Sequence, residues 1–116
     1  MKIPAMSGGG GSHTYSTTEQ AVGTWIDGST LYEKTIQCIS CNVGGYNWKS
    51  ITANNAIPAG AIIINGSIYR SAQRGVLNGN LATNNVNNTV MFSAYLSADS
   101  YDLSTSDYVT VTYIKS

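Results

Sequence analysis

Short stretches in which hydrophobic and polar residues alternate run through most of this chain. The clearest is residues 107–115, DYVTVTYIK, close to the C-terminus. Its alternation divides six residues between two faces, with Val109, Val111 and Tyr113 on one and Tyr108, Thr110 and Thr112 on the other. We expect the first face to lie in a core and the second to point outward.

Residues 15–36 predict a β-hairpin that organises the start of the domain. The turn is Asp27-Gly28-Ser29-Thr30, and Asp-Gly between runs of Val, Ile, Trp, Leu and Tyr is a strong hairpin signal. Large side chains occur on both faces of the two strands, so we expect the hairpin to be covered on both sides. Trp25 is expected in the core.

The middle of the chain is less regular. Residues 61–71, AIIINGSIYRS, predict a buried strand, in which Asn65-Gly66 is either a hairpin turn or a bulge. Residues 73–88 are dense in asparagine and predict a loop excursion with at most a short strand. Residues 89–96, TVMFSAYL, predict a strand with four residues on one face: Val90, Phe92, Ala94 and Leu96. Residues 97–106 are expected to form a polar connection.

These patterns define the expected fold class. No stretch longer than about a turn repeats its apolar residues with the 3.6-residue period of a helix. We therefore expect an all-β protein of about seven to nine short strands, an antiparallel β-sandwich of jelly-roll-like form.

Composition supports a weakly charged β protein and excludes some partners. Only 10% of the residues are charged, against roughly 25% in an ordinary soluble domain. The formal net charge is zero and the basic residues are scattered, which disfavours nucleic acid and anionic membranes as partners. The longest apolar run, residues 61–64, is far shorter than the roughly 20 residues of a membrane span, so no membrane insertion is expected.

The first 14 residues predict a flexible, Gly-rich leader or anchor ahead of a β-sandwich domain over residues 15–116. Four consecutive glycines, residues 8–11, cannot pack a core. This stretch is either an engineered linker or a natural hinge. No signal peptide is evident, and we expect no secretion by that route.

No set of residues predicts catalysis, a metal or a cofactor. Cys38 and Cys41 form a CxxC motif without a thioredoxin-like context, so we expect ordinary cysteines at strand ends, with a metal shared between subunits as the alternative. The single histidine, His13, falls in the leader, which leaves no Ser-His-Asp triad. We therefore expect a protein that is not an enzyme and holds no cofactor.

Aromatic residues beside loop signals are the candidate ligand-binding residues. Carbohydrate sites typically stack an aromatic ring on a sugar and bond its hydroxyls with polar groups. The eight tyrosines and two tryptophans, against one phenylalanine, favour such amphipathic contacts. Six residues are candidates, each with ordinary packing or a subunit contact as the alternative: Tyr46, Trp48, Tyr69, Arg70, Arg74 and Tyr101.

Both ends of the domain resemble those of a known group of proteins. Residues 15–20 (YSTTEQ), 23–28 (GTWIDG) and 31–35 (LYEKT) are similar to the opening of a domain in virion proteins of phages and prophages of Gram-positive, largely gut-dwelling hosts. Residues 109–113 (VTVTY), with Lys115 behind them, are similar to its ending. The cysteine pair is not part of that pattern. These domains resemble the C-terminal tips of tail-fibre and other fibre proteins.

The resemblance implies a protein of the phage particle surface, made in the bacterial cytoplasm and assembled as a homotrimer. Its partners would be other phage structural proteins, reached through the leader, and a host or mucosal cell-surface glycan. The expected function is attachment by weak, multivalent glycan binding. The alternative is a structural capsid or tail decoration protein with no ligand of its own.

Overall fold

The structure, a computed structural model, describes residues 13–115. Most of the predicted leader, residues 1–12, lies outside the described residues, as does Ser116. The described part is all-β and contains no helix, which confirms the predicted class. Every paired strand runs antiparallel to its neighbour.

Ten strands follow one another along residues 13–115, one more than the largest number expected. They are β1 (Gln20–Thr24), β2 (Thr30–Gln37), β3 (Cys41–Gly44), β4 (Lys49–Ser50), β5 (Ala61–Arg70), β6 (Gly75–Leu77), β7 (Asn80–Asn84), β8 (Thr89–Ser93), β9 (Ser100–Leu103) and β10 (Tyr108–Lys115). They form a five-stranded sheet in the order β1-β2-β10-β5-β6, a two-stranded sheet β3-β9 and a three-stranded sheet β4-β8-β7.

The three sheets share one core, in a sandwich-like arrangement. Val109, Val111 and Tyr113 of β10 are fully buried on the inner face of the five-stranded sheet, as their alternation predicted. The smaller sheets contribute residues to the same cluster, among them Val43 of β3 and Phe92 of β8. Burying apolar surface from several sheets in one cluster is the main source of stability for such a fold.

The predicted hairpin forms, but its first strand is not covered. Asp27 shapes the turn because its carboxylate Oδ1 accepts the backbone N–H of Ser29 at 2.8 Å, and Gly28 takes a φ of +92°. The β1 strand is the edge of the sheet, and Ile26 in the turn is 90% exposed. Trp25 is only half-buried and lies outside the core cluster. The expectation of a hairpin covered on both sides is wrong within residues 13–115, because four of the five β1 residues are exposed and successive residues of a strand point to opposite faces.

The middle of the chain contains more strand than predicted. Asn65 and Gly66 lie inside the long strand β5, so the hairpin-turn alternative is wrong. The register against β10 shifts at Ile64, directly before Asn65, so a bulge is present but one residue earlier than predicted. The asparagine-dense stretch forms β6 and β7, and the supposed polar connection contains β9, which pairs with β3. β6 pairs with the preceding strand β5 and β7 with the following strand β8, whereas β9 pairs with a strand far away in the chain. In each case the main-chain pairing overrides the local turn preference of asparagine and serine. Leu96, expected on the buried face of its strand, lies beyond the end of β8 and is exposed.

Candidate functional site

Two of the predicted site residues, Tyr46 and Trp48, lie on an exposed connection between β3 and β4. The chain after β8 runs beside them, since the Gly45 carbonyl accepts the backbone N–H of Ala94 at 2.9 Å. Tyr95 and Leu96 on that neighbouring segment are also exposed. We call these four residues, Tyr46, Trp48, Tyr95 and Leu96, the loop patch. It is an apolar and aromatic surface.

Arg70 and Tyr101 come together in a second place. The Arg70 guanidinium lies over the Tyr101 ring, 5.5 Å from its centroid, and Nη2 donates to the Asp102 carbonyl at 3.1 Å. Desolvation first and Asp99 second raise the pKa of the Tyr101 phenol. A small cavity of about 300 Å³ adjoins this pair. Arg74 is exposed in the turn between β5 and β6, at a φ of +51°, and does not line that cavity.

Tyr69, the sixth predicted residue, lies in a third and larger place, on the outer face of the five-stranded sheet. A groove of about 620 Å³ lies there, within the range of roughly 300–1,000 Å³ typical of small-molecule sites. We call it the outer groove. Its lining consists of Tyr15, Glu33, Thr35, Asn65, Gly66, Ser67, Tyr69, Val76, Asn78, Tyr108, Thr110 and Thr112.

The strand register arranges most of this lining in three rows that cross the sheet. One row is Glu33, Thr112 and Asn65; the next is Thr35, Thr110 and Ser67; the third is Tyr108, Tyr69 and Val76. The first row offers a carboxylate and an amide, the second offers three hydroxyls, and the third is aromatic and aliphatic. A ligand lying along β10 would meet polar groups at one end and aromatic rings at the other.

The aromatic row is accessible. Tyr69 and Tyr108 sit directly opposite each other on β5 and β10 and are 46% and 37% exposed. Side chains at opposed positions of antiparallel strands are close neighbours. The two phenols therefore form a joint surface on which an apolar or ring-shaped ligand face can pack.

The hydroxyl row is partly ordered by an internal hydrogen bond. Thr35 Oγ1 and Thr110 Oγ1 are 2.8 Å apart, so one donates to the other. Each hydroxyl has one donor and two acceptor positions, so the pair keeps capacity for a further partner. Ser67 continues the row on β5.

The carboxylate end of the groove is held by His13, ahead of the sheet, and by Gln20, the first residue of β1. Glu33 is 5% exposed, and its Oε1 accepts from Gln20 Nε2 at 3.2 Å and contacts His13 Nε2 at 2.7 Å. His13, which the sequence assigned to the leader, thus contacts the domain. The Gln20 side chain also donates to the Thr14 carbonyl at 2.6 Å. These contacts fix Glu33 as a charged end to the groove.

The two cysteines and Asp107 lie in structural positions outside the outer groove. Cys38 is buried directly after β2, and Cys41 begins β3, so both lie at strand ends as predicted, and both are free thiols. Burial first, and Asp107 second, raise the pKa of the Cys38 thiol to about 12, which makes it unreactive. Asp107 is buried and accepts backbone N–H groups from Ser71 and Ser104 at 2.9 Å each. Within residues 13–115, no group of three or more His, Cys, Asp or Glu side chains could hold a metal ion.

The sequence named one residue of the outer groove and missed the rest. The alternation of β10 did place Tyr108, Thr110 and Thr112 together on an outward face, which was the available signal. The partners of that face come from β2, β5 and β6, whose order in the sheet is not their order in the chain. Without the strand order, Thr35, Ser67 and Glu33 are unremarkable strand residues.

Comparison with known proteins leaves the function to be argued from this geometry. No protein-family model matches the sequence, and no curated protein or solved structure matches it significantly. Among residues 13–115, no helix combines the length and the apolar character that crossing a bilayer requires.

Proposed function

We propose that this protein is an attachment protein of a phage particle and that it binds glycans in the outer groove. The observation that carries the proposal is the set of three rows across the sheet, which combines exposed tyrosines with hydroxyl, amide and carboxylate groups in one concavity. A sugar ring has the matching chemistry, an apolar face and a rim of hydroxyls.

The polar lining favours a glycan over a purely apolar ligand. Five of the residues that line the groove are Thr, Ser or Asn side chains on adjacent strands: Thr35, Asn65, Ser67, Thr110 and Thr112. Apolar ligands would leave these groups without partners, at a cost of about 1–3 kcal/mol for each one buried. Hydroxyl groups of a sugar satisfy them.

The rest of the proposal concerns assembly. A jelly-roll-like homotrimer would present three grooves, and the leader of residues 1–14 would join the domain to other phage structural proteins. Individually weak sites then act together, because each later contact is made at a high effective concentration. The protein would work on the virion surface after synthesis in the bacterial cytoplasm, without catalysis and without a cofactor.

The test compares matched pairs of aromatic substitutions. The double variant Tyr69→Ala/Tyr108→Ala removes the aromatic row, and Tyr46→Ala/Trp48→Ala removes two side chains of the loop patch as the control. Binding to a glycan array and to host cells is measured by fluorescence, and folding by circular dichroism. Because aromatic anchors carry much of the binding free energy at a small contact surface, the first variant is expected to bind no glycan detectably.

The control decides between the two surfaces. The proposal requires the loop-patch variant to bind like the unmodified protein. Retained binding by a folded Tyr69→Ala/Tyr108→Ala variant would contradict a glycan site in the outer groove.

The loop patch favours a second candidate function, a capsid or tail decoration protein. Its four large apolar side chains are about half or more exposed, and Tyr46 reaches 63%. Apolar residues gathered on a surface mark contacts with other proteins. A decoration protein would lose incorporation into particles when Tyr46 and Trp48 are replaced by serine, whereas the groove variants would still be incorporated.

A further inference from the structure

We infer that the outer groove selects neutral or amine-bearing glycans and rejects anionic ones, and that Glu33 is the residue that sets this selectivity. The inference rests on the proposed glycan-binding function and adds the charge class of the ligand. It also assigns a role to Glu33, which no sequence signal indicated.

The first observation is the charge of the lining. Among its twelve described residues, Glu33 is the only one with a carboxylate, and none is Lys or Arg. Sialic acids, uronic acids and phosphate-bearing sugars are recognised through cationic side chains, above all Arg. The outer groove offers no such group and instead presents a like charge.

The second observation is where the cations of the described chain lie. Lys34 alternates with Glu33 along β2 and so points to the other face of the sheet, where its Nζ donates to the Ala56 carbonyl at 2.7 Å. Arg70 is engaged with Tyr101 and the Asp102 carbonyl. Lys115 pairs with Glu19 at 2.7 Å. Lys49 and Arg74, the other cations within residues 13–115, do not line the groove either.

The third observation is the fixed position of the carboxylate. Glu33 lies in the row with Thr112 and Asn65, so it forms the polar end of the groove. Its Oε1 is held by Gln20 and lies 2.7 Å from Nε2 of His13. A carboxylate with two partners and little exposure cannot swing away from an incoming anion. Placing two like charges together at an interface is a strong source of discrimination.

A protonated amine, unlike an anion, would be attracted to the Glu33 carboxylate at the polar end of the groove. An amino sugar bound with its amine toward Glu33 would gain a charge-assisted hydrogen bond, the stronger kind of polar contact. Neutral sugars would use the threonine and asparagine groups of the same row. The ranking expected from the geometry is amine-bearing first, neutral next and anionic last.

The experiment uses the full chain and glycans that share a backbone but differ in charge. The pairs are N-acetyllactosamine with its sialylated form, and chitin oligosaccharide with its deacetylated, amine-bearing form, together with an array that contains neutral, carboxylate, sulfate and amine versions of other backbones. Affinities are measured at about pH 8, a pH at which histidine side chains are generally neutral. The unmodified protein is expected to bind anionic forms about tenfold or more weaker than their neutral partners.

Three variants assign the effect to the groove. Glu33→Gln keeps the shape and one acceptor oxygen for Gln20 but removes the charge, and it should reduce the difference between neutral and anionic forms to about threefold or less. Asp27→Asn removes the same charge from the hairpin turn, outside the groove, and should leave the difference unchanged. Asn65→Asp adds a second carboxylate to the row of Glu33 and should widen the difference in affinity between neutral and anionic forms. Because Asn65 is exposed and Asp matches its shape, this variant also serves if Glu33→Gln does not fold.

The outcomes separate the inference from the function on which it rests. Equal or tighter binding of anionic glycans by the unmodified protein would overturn the charge selectivity while leaving glycan binding in place. A folded Glu33→Gln that still rejects anionic forms, or an Asn65→Asp that does not widen the difference, would overturn the role given to this end of the groove. No binding to any glycan would contradict the proposed function itself, and the inference would fall with it.

Discussion

The outer groove and the loop patch both expose aromatic side chains, yet they are built differently. The groove takes all its residues except Tyr15 and Asn78 from four neighbouring strands of one sheet, so backbone pairing sets the spacing of those side chains. The loop patch takes its residues from two connections joined by a hydrogen bond between Gly45 and Ala94. A regular mixture of aromatic and polar groups suits a small polar ligand, and a more exposed apolar set suits a protein surface. Aromatic content alone therefore does not identify a ligand site.

The largest expected effect comes from the floor of the groove. A Cβ at Gly66 would lie 2.8 Å from both Leu81 Cδ1 and the Thr110 carbonyl oxygen. Since a backbone atom cannot move without disturbing the β5–β10 pairing, Gly66→Ala should lower the free energy of unfolding by about 3 kcal/mol. Urea unfolding followed by circular dichroism measures this.

A matched glycine on the edge strand is the control for that measurement. The nearest atom to a Cβ at Gly75 is the Gln73 carbonyl oxygen at 3.7 Å, an ordinary contact. Gly75→Ala should change stability by less than about 1 kcal/mol. Equal effects of the two substitutions would show that the floor of the groove is not tightly packed.

The second-largest effect is expected on glycan affinity, with little change in stability. Replacing both partners of the Thr35–Thr110 hydroxyl pair by valine removes a hydrogen bond without leaving either partner unsatisfied, so stability should hardly change. Glycan affinity should fall by about tenfold, because the ligand loses both hydroxyls. Titration calorimetry measures the affinity.

A second hydroxyl pair, far from the groove, provides the comparison. Ser50 Oγ and Thr89 Oγ1 are 2.7 Å apart between β4 and β8. The double variant Ser50→Ala/Thr89→Val should leave glycan affinity unchanged. A similar loss of affinity in both variants would mean that hydroxyl pairs act through general stability rather than through the groove.

A smaller effect is expected on acidification. Desolvation raises the pKa of Glu19, but hydrogen bonds from Lys115 and Tyr113 outweigh it and hold that pKa below its ordinary value of 4.5. A depressed pKa means that the stabilisation is present above the ordinary value and is lost as the pH falls through the folded-state value. Both ends of the Glu19–Lys115 pair are partly exposed, so solvent screening keeps the contribution of the pair to stability small.

The variant Glu19→Gln tests this linkage. Its stability should fall less steeply than that of the unmodified protein as the pH is lowered below about 4.5, measured by urea unfolding at each pH. Because the Glu19 contacts hold the end of β10, glycan binding should weaken over the same interval. If the stability of both proteins falls equally steeply with pH, Glu19 does not contribute to the loss of stability in acid.

The smallest effect on stability is expected at the loop patch. Replacing Tyr46 and Trp48 by serine removes exposed side chains and should change the free energy of unfolding by less than about 0.5 kcal/mol per site. The mass from light scattering should also stay that of the unmodified protein, as the use of the loop patch as the binding control requires; a fall to the mass of a monomer would instead place a contact between copies of the chain at the patch. Val86→Ser, at another exposed apolar position, is the control and should leave the mass unchanged.

Sequence patterns predicted the fold best where the chain is regular and buried. The alternation in β10 gave the correct inward residues, because a central strand with one buried face must keep its period of two. The Asp27-Gly28 turn was predicted correctly, because residues adjacent in the chain determine its geometry. The stretch that forms β6 and β7 was expected to contain at most a short strand, because its asparagine and glycine residues resemble those of loops. The β9 strand was missed because its partner, β3, lies far away in the chain.

The prediction of the candidate site also succeeded only in part. Tyr69 was named because it is an aromatic residue close to a loop signal, and it does line the outer groove. Tyr46, Trp48, Arg70, Arg74 and Tyr101 were named on the same grounds, and the structure distributes them over the loop patch, the Arg70–Tyr101 contact and an exposed turn. Glu33 was not named as a ligand residue, because its neighbours Thr112 and Asn65 are distant in sequence.

What the sequence alone determined is the all-β class, the two faces of β10 and a chain with little charge. These depend on composition and on the two-residue period of a strand, which are local properties. Only the tertiary structure decided the strand order, and with it the three rows of the outer groove and the position of Glu33 at their polar end. Rows across a sheet join residues that are distant in the chain, so they exist only once the strands have paired.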